Sequence, residues 1–260
     1  MVEGDLTDQP RAVVRREVLL VLGVSLGQSA AYALVSLIAK LTAARPLAQQ
    51  TTALNPSQAP GRPWLDLTYQ LMAIVFAVVP ALLAVHMLNT ARGGGGARET
   101  LGLNWSPRRT FSDLGTGLAL TALIGVPGLG LYLLARELGV NTRVAAANLP
   151  DLWWAVPVLV MAAAANGLLE EVVVVGYLLT RLKDLGWRTS HAVAASAILR
   201  GTYHLYQGFG AFVGNALMGV VFALLFLRTK RLGPLILAHT LLDVVAYLGY
   251  TWLRDRVPFL

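Results

Sequence analysis

The 260 residues are 56% hydrophobic and only 13% charged, with a mean hydropathy of +0.60. A soluble domain averages roughly 25% charged residues. So little charge cannot cover a water-facing surface, which excludes a soluble globule, and the same composition excludes disorder. The chain reads as an integral membrane protein. Its net charge of +7 then places Lys and Arg in loops beside anionic lipid. No basic run is interleaved with aromatic residues, so nucleic acid is not an expected partner. With no cysteine, disulfides, thiol nucleophiles and cysteine-based metal centres are excluded.

Glu3, Asp5 and Asp8 make the opening acidic, unlike the basic start of a secretory signal. The apolar run that follows is too long for a cleaved segment and reads as a retained first span. With about 20 apolar residues per crossing, the spans fall at 18–41, 67–89, 114–135, 152–180, 190–206, 210–228 and 233–253. The fourth is long enough to split, so seven or eight spans are expected. The stretch 43–63 reads as a loop without a core, and Gly93–Gly96 as a flexible linker. The segment 100–113 reads as polar and surface-lying. No internal repeat is visible. The expected architecture is thus an all-α polytopic transmembrane bundle in one integral membrane domain, 1–260. Residues 1–151 form N-terminal helices without motifs, and 152–253 carry the chemistry on the last four helices.

Charge counting sets an expected orientation. With the N-terminus cytoplasmic, thirteen Lys and Arg fall on the cytoplasmic side and seven on the other. That asymmetry follows the positive-inside rule.

A charge at mid-bilayer costs about 2.5–3.5 kcal/mol on insertion scales, so ionisable residues inside spans are informative. The first half of the chain offers only His86, near a helix end, which reads as interfacial. After Asn166 the polar residues crowd together. Glu170 and Glu171 lie in Gly167-Leu-Leu-Glu-Glu-Val-Val-Val-Val-Gly-Tyr177. Arg200 and His204 share one helix face at i,i+4, as do His239 and Asp243, and Asn166 and Glu170. Three polar faces in apolar surroundings can be hidden only against one another. The next-to-last span supplies small residues instead (Gly210, Gly214, Ala216, Gly219), suited to close packing. A carboxylate beside an imidazole can activate water, and a neighbouring donor can stabilise an oxyanion. Two other functions fit such a cluster: a proton-coupled transporter, or a non-catalytic scaffold that recruits another membrane protein. The lack of repeats and of paired broken helices argues against the transporter.

Glu-Glu followed by an apolar run and Gly-Tyr-Leu, a His on the next helix, and His-x-x-x-Asp after Gly-Pro-Leu resemble the CPBP family. That family comprises the type II CAAX prenyl endopeptidases, the bacterial Abi proteins and the lysostaphin-resistance-A-like proteins. The resemblance covers roughly 152–249. It implies an intramembrane endopeptidase acting on a membrane-associated protein or peptide, CAAX-like prenylated or otherwise. By the same resemblance Glu170 is the water-activating base, His204 orients the water, and His239 and Asp243 bind the oxyanion or a second water. Glu171, Arg200 and Asn166 support them. The family is often described as metalloproteases; His-Glu-x-x-His is absent here, yet Glu170, His204, His239 and Asp243 could ligate zinc through N and O atoms. Two positions depart from the family's pattern. Its first motif is Glu-Glu-x-x-x-Arg, and the Arg position here is Val175; its second is Phe-x-x-x-His, and the Phe position here is Arg200. A swap accounts for both: Arg200 supplies from the neighbouring helix the charge that Val175 lacks.

Overall fold

The computed structural model describes residues 10–91, 96–104 and 106–253. The acidic opening and most of the glycine linker (93–95) lie outside them. The helices are α1 (Arg11–Gly23), α2 (Leu26–Leu41), α3 (Pro63–Ala91), α4 (Gly96–Thr100), α5 (Pro107–Glu137), α6 (Ala155–Glu170), α7 (Leu178–Asp184), α8 (Thr189–Thr202), α9 (Phe209–Thr229) and α10 (Gly233–Leu253). A π-helical segment, Glu171–Tyr177, joins α6 to α7. The chain is all-α, as its composition demands.

Among the described residues five helical spans are long and apolar enough to cross a membrane: 63–91, 107–137, 155–184, 209–229 and 233–252. The pair α1–α2, bent by 53°, makes a sixth if it is one broken span. The expected count of seven or eight is therefore not reached. The shortfall is α8, whose 14 residues rise about 21 Å against a hydrocarbon core of about 30 Å. Hydropathy alone read its flanking turn as a continuation of the helix.

That turn is anchored from outside the helix. Lys40 Nζ donates to Thr52 Oγ1 at 2.5 Å and to the Tyr206 carbonyl. Thr142 gives both its backbone N–H and its hydroxyl to the Gln207 carbonyl, at 2.8 and 2.9 Å. The strands β1 (Thr51–Ala53) and β2 (Arg143–Ala145) pair in parallel alongside. The segment 43–63 is thus built into the protein, because its Thr and Gln side chains satisfy backbone groups that a lone loop would leave to water. Residues 107–113 likewise belong to α5, begun by Pro107 at the first turn and capped by Ser106.

Two helix contacts bring the site's elements together. Against α10, Gly167 of α6 sits so close that a Cβ would lie 2.7 Å from Thr240 Oγ1 and 3.1 Å from the Ile236 carbonyl. Gly219 of α9 faces α8 in the same way, its Cβ position 3.0 Å from Ala197 Cα and 3.2 Å from Arg200 Cδ. Small residues let these backbones approach, as expected for packing within a membrane.

Candidate active site

The π-helical segment shapes the first wall. Each π turn holds an extra residue, so the faces before and after it are rotated relative to an unbroken α-helix. Upstream, Asn166 and Glu170 look toward α10. Downstream, Tyr177 and Arg181 turn to α1, where Tyr177 Oη donates to Glu17 Oε1 at 2.8 Å and Arg181 Nη2 reaches both Glu17 oxygens at 2.7 Å. The looser backbone ladder is stitched by Ser196, whose hydroxyl donates to the Val174 carbonyl at 2.9 Å.

Glu171 is fully buried and its Oε1 is the hub of the site. Arg200 Nη2 donates to it at 2.5 Å and His239 Nδ1 at 2.6 Å. A carboxylate only accepts, so Nδ1 of His239 carries its proton and Nε2 faces the remaining acids. That Nε2 stands 3.9 Å from Glu170 Oε2 and 3.9 Å from Asp243 Oδ1. The Arg200 guanidinium also lies over the Phe222 ring, 5.4 Å from its centroid, which lets an apolar wall hold a cation.

Glu170 receives a different set of donors. Tyr203 Oη donates to Oε2 at 2.6 Å, and Arg200 Nη1 stands 3.8 Å from the same oxygen. Asp243, at 23% the most open side chain of the acids, is held by Tyr247 Oη at 3.0 Å and by Asn166 Nδ2 at 3.5 Å. Asn166 also donates to Tyr247 at 3.0 Å. The cluster therefore opens on the Asp243 side.

Of the residues singled out in the sequence, Glu170, Glu171, Arg200, His239, Asp243 and Asn166 form one contiguous polar network. His204 lies at its edge: Nδ1 donates to the Arg200 carbonyl at 2.9 Å, and its ring meets the Tyr203 ring at 4.8 Å. The expected contact of Arg200 with Glu171 is present. Val175, where the family has Arg, is fully buried in the apolar core. Tyr203 and Tyr247 join the network without being marked by any motif of the sequence. Their spacing was the available signal, since Tyr203 follows Arg200 by three residues and Tyr247 follows Asp243 by four.

The metal reading finds no support in this arrangement. Tetrahedral donors about 2.0–2.1 Å from a zinc ion stand closer together than the 3.9 Å between His239 Nε2 and either acid. The Nδ1 donations of His239 and His204 leave each Nε2 free as an acceptor, but a guanidinium faces Glu170, 3.8 Å from its Oε2. Among the described residues no three His, Asp or Glu side chains form a metal-holding group.

Long apolar helices around a buried network of two glutamates, an arginine and a histidine make this an integral membrane protein with a polar centre. Residues 152–245 match the family model of the type II CAAX prenyl endopeptidase Rce1-like proteins. That matched segment contains Asn166, Glu170, Glu171, Arg200, His239 and Asp243 of the network. Comparisons with curated proteins and with solved structures find no match.

Proposed function

We propose that this protein is an intramembrane endopeptidase that hydrolyses a peptide bond of a membrane-associated protein or peptide by glutamate-activated water. The observation that carries the reading is the position of Glu170. It is ringed by donors, yet its Oε2 stands 3.9 Å from His239 Nε2, a gap that one water molecule bridges. Water in that bridge gives a proton to Glu170 as its oxygen attacks the carbonyl carbon. When the carbon–nitrogen bond breaks, Glu170 returns the proton to the leaving amine, so a single group serves as base and then acid.

The other residues keep Glu170 in that role. Glu171 fixes the His239 ring through Nδ1, and Arg200 balances the Glu171 charge. Asp243, held by Tyr247 and Asn166, faces the same His239 nitrogen and flanks the opening. His204 presents Nε2 from the edge of the site, where it orients water or the leaving group. The N-terminus is cytoplasmic in this reading, on the strength of the Lys and Arg asymmetry.

The test is cleavage of an internally quenched peptide library, prenylated and unprenylated, by the protein in liposomes. Wild type should cleave a subset and Glu170→Gln none. A Glu170→Gln protein with normal turnover would overturn the mechanism, and a wild type that cleaves no peptide would overturn the function.

A further inference from the structure

We infer that Tyr203 and Arg200 supply the donors that stabilise the oxyanion, a catalytic role that rests on the endopeptidase reading above. Two donors of α8 and its C-terminal turn converge on one oxygen of Glu170. Arg200 has no exposure at all. Its Nη2 is bonded to Glu171, but neither Nη1 nor Nε has a hydrogen-bond partner among the described residues. Buried N–H groups of a guanidinium are seldom left without an acceptor. Here Nη1 lies 3.8 Å from the one Glu170 oxygen that Tyr203 already occupies at 2.6 Å. Two donors from one helix end, the Tyr203 hydroxyl and Arg200 Nη1, thus converge on a single oxygen. Glu171 Oε2 is also buried without a partner, yet Arg200 Nη1 lies beside Glu170 Oε2, where the Tyr203 hydroxyl already donates.

Hydrolysis generates a new acceptor beside Glu170. As the water oxygen bonds to the carbonyl carbon, the carbonyl π pair moves to oxygen and the water proton moves to Glu170. Neutral Glu170 is a weaker acceptor than its carboxylate, since charge-assisted hydrogen bonds are roughly twice as strong as neutral ones. The Tyr203 hydroxyl is released just as an oxyanion appears beside it. It donates to that oxygen and Arg200 Nη1 donates alongside. Neither residue gives up a proton. When the carbon–nitrogen bond breaks, the carbonyl re-forms, the Glu170 proton leaves with the amine, and the carboxylate regains its bond from Tyr203. Buried donors already in place pay no reorganisation cost as the charge develops. The His239 ring is unavailable for this through Nδ1, which Glu171 holds.

The experiment uses the full chain in liposomes, with the best-cleaved peptide of the quenched library. The second probe is its phosphinic analogue, in which a tetrahedral PO₂–CH₂ group replaces the scissile amide. Tyr203→Phe keeps the ring against His204 and removes only the donor. Its kcat should fall about 100- to 1,000-fold, the range for loss of one oxyanion donor, with KM little changed. Affinity for the phosphinic analogue should fall by a comparable factor. Binding of the intact peptide, measured in the Glu170→Gln background, should be unaffected. Arg200→Lys keeps a charge for Glu171 and removes Nη1, so it should lose analogue affinity in the same selective way. Unchanged analogue affinity in Tyr203→Phe would overturn the inference, leaving Tyr203 as a residue that merely positions Glu170. If Glu170→Gln is inactive while Tyr203→Phe turns over normally, this inference falls and the endopeptidase reading stands. A Glu170→Gln protein that still cleaves removes both.

Discussion

Arg200 Nη2 and His239 Nδ1 meet on one oxygen of Glu171, at 2.5 and 2.6 Å. Three elements, the π-helical segment, α8 and α10, are thereby tied at a point with no access to water. Glu171 thus ties the elements together, whereas Glu170, beside it, takes the Tyr203 hydroxyl and stands 3.9 Å from His239 Nε2.

The two adjacent glutamates should accordingly separate function from stability. Glu170→Gln keeps the shape of the side chain, so its thermal unfolding in detergent should stay close to wild type while turnover is lost. Glu171→Gln removes the charge that both Arg200 and His239 contact. It should lower stability by about 3–5 kcal/mol, the range for a buried pair left with one partner. Unfolding curves for both variants decide the matter; equal losses would remove the division of labour.

Arg200→Phe installs the residue the family carries there and leaves Glu171 without its cation. A loss of about 3–5 kcal/mol is expected. Adding Val175→Arg should recover part of it, since position 175 lies one turn beyond Glu171 on the same segment. The double variant's midpoint temperature is the measurement. A double variant no more stable than Arg200→Phe would show that the two positions do not exchange charge.

The ion pair of Glu17 with Arg181 should anchor α1 to the core. Arg181 is 3% exposed and meets both oxygens of Glu17. Glu17→Ala should cost about 3–5 kcal/mol, and Tyr177→Phe, which deletes one hydrogen bond, about 1 kcal/mol. Limited proteolysis should cut between α1 and α3 in Glu17→Ala before it does so in wild type.

Close helix packing gives the last expectation. A methyl group at Gly219 would press on Ala197 Cα and on the aliphatic part of Arg200. Gly219→Ala should destabilise by about 1–3 kcal/mol, typical of overpacking, and should also reduce turnover by displacing Arg200. Gly115, with nothing within 4 Å of its Cβ position, is the control: Gly115→Ala should leave both quantities near wild type.

Membrane insertion and helical class were legible in the sequence, because a bilayer imposes its demands on composition directly. A low charge content and long apolar runs suffice, whatever the packing. The location of the polar centre was legible for a related reason. Charges are so costly in hydrocarbon that Glu170, Glu171, Arg200, His239 and Asp243 stand out on spacing alone, and i,i+4 repeats assign them to faces. The partner of each charge was a different matter. That His239 Nδ1 meets Glu171 rather than Glu170 depends on how α10 packs against this segment, which leaves no mark in hydropathy. The ends of α8 were hidden too, because its final turn is held by Lys40 and Thr142, more than 50 residues away in sequence. Tyr203 and Tyr247 went unnoticed since a phenol suits an apolar core as well as a polar site. Only the approach of α8, α10 and the π-helical segment, permitted by glycines at 167 and 219, decides which hydroxyl meets a carboxylate.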